Sequence, residues 1–92
     1  GMRWKLFADL AERAGDDEID VSIDDSEPTA GDALAALLAD HPELEERVFT
    51  ADGDLESHLN LLRNGENITD AGLATPVSDD DELALFPPVS GG

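Results

Sequence analysis

The chain has 92 residues, which allows one small domain with one modest hydrophobic core. It carries 23 acidic residues against five Lys and Arg residues, for a net charge of −18, so we expect neither nucleic acid nor a membrane as a partner. The absence of cysteine excludes disulfides, zinc–thiolate sites and iron–sulfur clusters. No apolar run approaches the roughly 20 residues that span a bilayer, and we expect a cytoplasmic protein.

The acidic residues are spread along the chain rather than gathered in one tail. Two explanations stay open: the acidity recognises a basic partner, or it adapts the surface to a salty cytoplasm. The even spread favours salt adaptation. Because the Debye length falls to about 3 Å at 1 M salt, self-repulsion is screened there, and we expect the fold to loosen in dilute buffer.

The chain opens with a pattern that is typical of a strand. Residues 2–7 alternate between an apolar face that includes Trp4 and Leu6 and a second face that includes Lys5 and Phe7. We expect Trp4, the only tryptophan, to be partly buried in the packing of the domain.

A short helical turn and a second strand are predicted next. Residues 9–14 can form the turn, and Gly15 is suited to end it because glycine accepts a left-handed conformation. Residues 18–24 alternate strictly, with β-branched apolar residues at every second position, and predict the second strand.

The main helix is predicted to begin after Thr29, which forms a near capping box with Asp32. The apolar residues that follow recur at helical spacing along one stripe: Ala33, Leu34, Leu37 and Leu38. His41 should end this helix, because the residue before a proline avoids the α region. Residues 43–48 predict a short second helix.

Three further strands are predicted in the second half of the chain. Residues 58–63 form the third, and Asn64-Gly65 is the strongest short signal for a hairpin, so residues 66–68 can return as the fourth. Residues 82–86 predict the last strand.

The polar segment over residues 69–81 is predicted to connect the fourth strand to the last, and its end, Asp79 to Asp81, is interpreted as a solvated turn. A single apolar helix stripe needs one sheet face to cover it. The sequence therefore predicts an α+β fold of the β-grasp type, a mixed sheet of about five strands over one main helix. This domain would span residues 2–86, and residues 87–92 would form a flexible tail.

The tail combines a stiff start with a flexible end. Pro87 and Pro88 fix φ near −65° and donate no backbone hydrogen bond, so they end the strand and hold the chain extended. Gly91 and Gly92 have no Cβ, so they can thread a narrow channel. Six residues reach roughly 20 Å at full extension. Such a tail suits a carboxylate that is delivered into another protein's active site.

The element order, the opening Leu6-Phe7-Ala8 and the ending from Asp81 to Gly92 resemble the ubiquitin-like MoaD/ThiS sulfur-carrier family. With its acidic composition, the chain is most similar to the small archaeal modifier proteins of salt-adapted archaea. The resemblance implies that an E1-like enzyme adenylates the carboxylate of Gly92, beside Gly91, with ATP.

The resemblance also implies two fates for the adenylate. It is converted to a thiocarboxylate that supplies sulfur for molybdopterin or tRNA thiolation, or it is attached to a lysine of a target protein by an isopeptide bond. The partners implied are the E1-like enzyme, target proteins and the large subunit of molybdopterin synthase. The chemistry belongs to these partners, so we expect the chain to be no enzyme and to hold no cofactor.

The strand pattern also predicts where a partner could dock. In a β-grasp fold the first and last strands lie side by side, so Phe7 and Phe86 should face away from the helix near Pro87, at the base of the tail. The family resemblance places an apolar docking patch for the activating enzyme there. The alternative is that one ring is core. Lys5 is the only side-chain amine and hence the only side-chain acceptor for self-conjugation; an ordinary exposed charge is the simpler interpretation.

Nothing else in the sequence predicts catalysis. His41 and His58 are interpreted as structural or solvated residues. A function of another class stays open, in which the chain is a non-covalent acidic binding module that contacts basic partners. That function would ignore the tail, and so would survive the loss of Gly91 and Gly92.

Overall fold

The computed structural model describes residues 1–87, and the remaining tail residues, Gly91 and Gly92 among them, lie outside the described residues. The five strands are β1 (Met2–Leu6), β2 (Glu18–Val21), β3 (Asn60–Arg63), β4 (Glu66–Asn67) and β5 (Glu82–Phe86). The helices are α1 (Asp9–Ala14), α2 (Ala30–Asp40) and α3 (Glu45–Val48), with 3-10 turns at Pro42–Leu44 and Gly72–Ala74. Within the described part of the chain, no helix is long and apolar enough to cross a membrane.

All five strands form one mixed sheet in the order β2-β1-β5-β3-β4. β1 and β5 run parallel at its centre, and the other neighbouring pairs are antiparallel. The apolar stripe of α2 covers one sheet face, since Ala33, Leu34 and Leu37 are fully buried. This arrangement confirms the predicted β-grasp fold and its order of elements.

The only tryptophan is at the centre of the core. Trp4 is 0% exposed, so the prediction of partial burial is wrong. Its indole Nε1–H donates a hydrogen bond of 3.0 Å to the backbone oxygen of Ala33, a residue in the first turn of α2. Because the polar edge of the ring has this partner, the whole side chain can leave water. Trp4 thus joins β1 to the main helix.

The start of α2 forms the predicted capping box. The Thr29 hydroxyl accepts from the backbone N–H of Asp32, and the Asp32 carboxylate accepts from the backbone N–H of Thr29. The loop before α2 is hydrogen-bonded to the segment between β4 and β5, because the backbone N–H of Val77 donates to the carbonyl of Pro28. These contacts fix the direction in which the helix crosses the sheet.

Besides β1, which ends at Leu6 rather than at residue 7, three strands are shorter than the sequence predicted. β2 ends at Val21 rather than at residue 24, because Val21 pairs with Met2, where β1 begins. β3 begins at Asn60, which pairs with Phe86, the last residue of β5. β4 ends before Ile68, which turns into the core. In each case the limit is set by the partner or by burial, which a pattern read along one strand cannot show.

Asp81 is buried, which corrects the interpretation of residues 79–81 as a solvated turn. Its carboxylate accepts hydrogen bonds from Arg63 Nε at 3.0 Å, from Asn64 Nδ2 at 2.9 Å and from the backbone N–H of Ser78 at 2.8 Å. Burial raises the pKa of Asp81, but the hydrogen bonds from Asn64, Ser78 and Arg63 outweigh it and lower that pKa below its ordinary value. The carboxylate fastens the β3–β4 hairpin to the start of β5.

Replacing Asp81 with Asn should lower the free energy of unfolding by roughly 1–3 kcal/mol, because a buried charged acceptor with three donors is lost. Since the folded pKa lies below the unfolded value of about 3.9, this stabilisation is present above that pH and lost as the pH falls through the folded pKa. Denaturant titrations at neutral and acidic pH measure both effects. Asp80→Asn, which removes the same charge from an exposed position, should stay within about 0.5 kcal/mol of the parent. Equal losses for the two variants would contradict the assignment.

The excess negative charge should make the stability depend on salt. The cations Arg3, Lys5, Arg47 and Arg63 already lie within 4 Å of carboxylates, and five cationic side chains cannot neutralise 23 acidic ones. We expect Tm to rise by several degrees between about 0.1 M and about 1 M KCl, as the Debye length falls. Circular dichroism and Trp4 fluorescence would report the transition. KCl is preferred to sulfate, which stabilises by exclusion. An unchanged Tm would show that repulsion between the carboxylates does not limit the stability of the fold.

Candidate functional site

Two phenyl rings meet at the end of the central parallel strand pair. Phe7 and Phe86 stack with ring centroids 4.0 Å apart and planes inclined by 11°. Their neighbours Leu6 and Leu85 pair across the two strands and point into the core. Because side chains alternate along a strand, the two rings lie on the open face of the sheet. Phe7 is 36% exposed, so the prediction that the rings face away from the helix is confirmed.

A strained turn places Phe7 in this stack. Ala8 has φ 54° and ψ −130°, and the N–H of Leu10 donates to the carbonyl of Phe7 at 3.2 Å. Ala8 is therefore the first central residue of a type II′ turn, a position that favours glycine. The turn reverses the chain directly after Phe7 and keeps the ring beside Phe86, while α1 packs Leu10 into the core.

The apolar surface extends beyond the two rings. On the open face, Ala84 pairs with Leu62 of β3 on one side and with Lys5 of β1 on the other, and these neighbours leave it only 9% exposed. Leu62 is half-buried, and Phe86 is the next outward residue along β5. The sequence prediction did not include Leu62 or Ala84. The signal was present, since Leu61 points into the core and its neighbour must then point outward.

The last strand, β5, ends beside the two rings. Pro87 directly follows Phe86 and is buried. Because proline has no N–H, it cannot extend the ladder between β5 and β3, and the pairing ends at Phe86. The predicted reactive residues Gly91 and Gly92 lie outside the described residues. The structure therefore describes the domain end of the tail and not its carboxylate.

Lys5 lies on the same open face. Its Nζ is 3.8 Å from Oε1 of Glu82, and its side chain is 41% exposed. A pair with this much exposure is worth at most about 1 kcal/mol, so Glu82 does not immobilise the amine. Lys5 is two residues from Phe7 on the same side of β1, close to the aromatic stack.

The two histidines have no catalytic arrangement. His41 caps the end of α2, with Nδ1 3.1 Å from Oε2 of Glu43. The backbone N–H of Glu43 and then His41 lower the pKa of this exposed carboxyl. His58 is exposed before β3. Within residues 1–87, no three His, Asp or Glu side chains are grouped so that they could hold a metal ion.

A further ion pair joins α1 to α3. Nε of Arg47 in α3 donates to the carboxylate of Asp9 in α1 at 2.6 Å. The hydrogen bond from Arg47 to Asp9 and the charge of that carboxylate raise the pKa of Arg47. This pair joins two short helices that would each be marginal alone, so its role is structural.

Comparison with known proteins identifies the family. The family model described as the ThiS family matches residues 4–92, which is nearly the whole chain and includes the terminal Gly91-Gly92 pair. The chain belongs to the ThiS family. In this ThiS family member, the stacked rings and the start of the tail occupy one end of the central strand pair.

Individual relatives agree with this membership. The chain is 57% identical over 91 residues to small archaeal modifier protein 1 of Haloferax volcanii, a match that covers 99% of this chain and all of the relative. It is 31% identical over 74 residues to the sulfur carrier protein CysO of Mycobacterium tuberculosis, which covers 77% of this chain and 80% of the relative. The crystal structure of the Haloferax volcanii small archaeal modifier protein 1 matches with a TM-score of 0.88 and 56% identity, covering 96% of this chain and 97% of that one.

Relieving the strain at Ala8 should stabilise the protein. Ala8→Gly removes a backbone cost of about 1–3 kcal/mol and adds a glycine cost of roughly 0.5–1 kcal/mol. We expect the free energy of unfolding to rise by about 1 kcal/mol. Ala11→Gly, a change of the same type inside α1, should lower it by roughly 0.5–1 kcal/mol. Denaturant titration compares the variants, and a loss of stability in both would contradict the strain at Ala8.

Proposed function

We propose that this chain is a ubiquitin-like protein modifier and sulfur carrier, whose Gly92 carboxylate is activated by an E1-like enzyme with ATP. The observation that carries the proposal is the position of the stacked Phe7 and Phe86 rings, directly before the tail. A partner that binds these rings also positions the start of the tail, whose six residues can span roughly 20 Å into an active site. Family membership and the match through Gly92 support the same function.

Activation makes an unreactive carboxylate into an electrophile. An oxygen of the Gly92 carboxylate attacks the α-phosphorus of ATP, a new phosphorus–oxygen bond forms, and pyrophosphate leaves. The acyl adenylate then loses AMP to a nucleophile. A lysine amine of a target gives an isopeptide bond, and a sulfide equivalent gives a thiocarboxylate for molybdopterin or tRNA thiolation. This chain supplies the carboxyl group and its delivery, and the partner supplies catalysis, so we propose that it is not itself an enzyme.

The relatives support both fates. The 57% identical relative is named a modifier protein and the 31% identical relative is named a sulfur carrier. Both fates need the same carboxylate, so the domain has no need to differ between them. The large subunit of molybdopterin synthase is a candidate acceptor, and the cytoplasm, where ATP is available, is the proposed location.

The alternative of a non-covalent acidic binding module is not favoured. It would depend on the net charge of −18 alone and would not need an aromatic stack at the base of the tail. The spread of carboxylates over the described surface suits the screening of repulsion in salt better than one complementary contact.

The proposed docking patch can be tested by ATP–pyrophosphate exchange with the E1-like enzyme of the source organism. Replacing Phe86 with Ala should raise KM by roughly 30-fold, as expected for the loss of a buried aromatic contact of about 2 kcal/mol. Phe86→Leu should retain most of the affinity because it keeps an apolar side chain. Deletion of Gly91 and Gly92 should abolish exchange, since no correctly placed carboxylate remains.

Melting curves of the same variants separate docking from folding. If Phe86→Ala unfolds, the ring is core and the patch is wrong. If it folds and its KM equals that of the parent, the enzyme docks elsewhere. If the tail deletion still supports exchange, the proposed activation of Gly92 is wrong.

A further inference from the structure

The only lysine of the chain is part of the surface that the proposed function uses for docking. Lys5 is on the open side of β1, and Phe7 follows two residues later, directly after the strand ends, at a spacing of about 7 Å. Both side chains line one shallow depression of about 200 Å³ beside the strand, together with Asp17 and Glu18. Lys5 also neighbours Ala84, which is the outward residue before Phe86 in β5.

A partner that docks on the rings must also cover Lys5. A standard protein interface buries about 800 Å² on each side, which corresponds to a disc of roughly 16 Å radius. Lys5 lies well inside such a disc when its centre is at the stack of Phe7 and Phe86. A chain attached to the amine of Lys5 would therefore start under the footprint of the docked enzyme.

We propose that attachment of a second copy to Lys5 closes the docking surface, so that the receiving copy can no longer be activated. This inference rests on the proposed function. Lys5 is then both the acceptor for self-conjugation and a switch that removes the modified copy from the activation cycle. The other side chains that face it, Glu82, Glu18 and Asp17, leave its amine accessible from solvent.

The attachment is an acyl transfer. The amine of Lys5, having given one proton to solvent, attacks the carbonyl carbon of the Gly92 adenylate of the second copy. A carbon–nitrogen bond forms, the bond from that carbon to the phosphate oxygen breaks, and AMP leaves with the electron pair. The attacking nitrogen releases its second proton, which leaves a neutral amide. The ATP used in activation supplies the driving force, and no oxidation or reduction occurs.

The consequence is a fixed direction of growth. A free dimer linked through Lys5 has one unused Gly92 carboxylate, on the receiving copy, and that copy is the one whose docking surface is closed. Such a dimer cannot be transferred to a target. A self-linked chain on a target can therefore form only by the addition of free copies to a copy that is already attached to that target.

The test uses a dimer of defined linkage. The acceptor is the full chain with its N-terminal amine acetylated, so that Lys5 is its only amine. The donor carries Lys5→Arg and an acetylated N-terminus, and its C-terminal carboxylate is converted to a thioester that couples to the acceptor. ATP–pyrophosphate exchange by the E1-like enzyme is then measured for the dimer and for the acetylated monomer. We expect kcat/KM of the dimer to fall by at least about tenfold.

Two controls isolate the position of the link. The first is a dimer joined through Ala35→Lys in an acceptor that carries Lys5→Arg, because Ala35 is exposed on α2, on the opposite side of the sheet. It should exchange like its own reference, the uncoupled acceptor that carries both substitutions. The second is a monomer acetylated at Lys5, which loses the positive charge but carries no attached copy. Its kcat/KM should change by less than about threefold, as expected for the loss of an exposed ion pair.

The outcomes separate the inference from the function on which it rests. A Lys5-linked dimer that exchanges like the monomer overturns the inference alone. Equal losses in both dimers also overturn it, because the position of the link would then not be the cause. A loss in the Lys5-acetylated monomer as large as that in the Lys5-linked dimer overturns it too, because the bulk of the attached copy would then not be the cause. A monomer that supports no exchange overturns the proposed function, and the inference with it.

Discussion

The parallel pairing of β1 with β5 is the constraint on which the rest of the molecule depends. It joins the two ends of the described chain at the centre of the sheet, in a register that pairs Trp4 with Leu83 and Leu6 with Leu85. Those residues are the core beneath α2. The residues between them point to the other face of the sheet. There the same register places Phe7 beside Phe86 and Lys5 beside Ala84. Core packing and the candidate docking surface are thus two sides of one strand pair, and neither can shift in register without the other.

Much of this arrangement follows from local patterns in the sequence. Alternation predicted which residues of β1 and β5 face the core, the spacing of Ala33, Leu34 and Leu37 predicted the buried stripe of α2, and the residue pair Thr29 and Asp32 predicted its cap. These features depend on neighbours within a few positions. The position of Phe7 and Phe86 on the open face also followed, because it needs only alternation and the parallel pairing that a β-grasp fold implies.

The features that local sequence patterns do not predict depend on distant contacts. Full burial of Trp4 requires an acceptor on Ala33, 29 residues away. The burial of Asp81 depends on Arg63 and Asn64, whose approach is decided by how the hairpin meets β5. In a chain with 23 acidic residues, composition gives no sign that one of them is structural. The bounds of residues 2–86 as a domain and the chemistry of Gly91 and Gly92 stay predictions.

The hydrogen bonds of Asn64 have a consequence for the chemical lifetime of the protein. An asparagine before glycine is prone to deamidation, in which the following backbone nitrogen attacks the side-chain amide and ammonia is lost. In the folded chain that amide donates to Asp81 and accepts from the backbone N–H of Glu82, and these two hydrogen bonds oppose the rotation that the attack requires. Unfolding releases it. The product would place a new carboxylate against Asp81, and a molecule damaged in this way would refold poorly. The rate of deamidation is therefore set by how often the β3–β4 hairpin opens. Conditions that destabilise the fold would increase this irreversible damage.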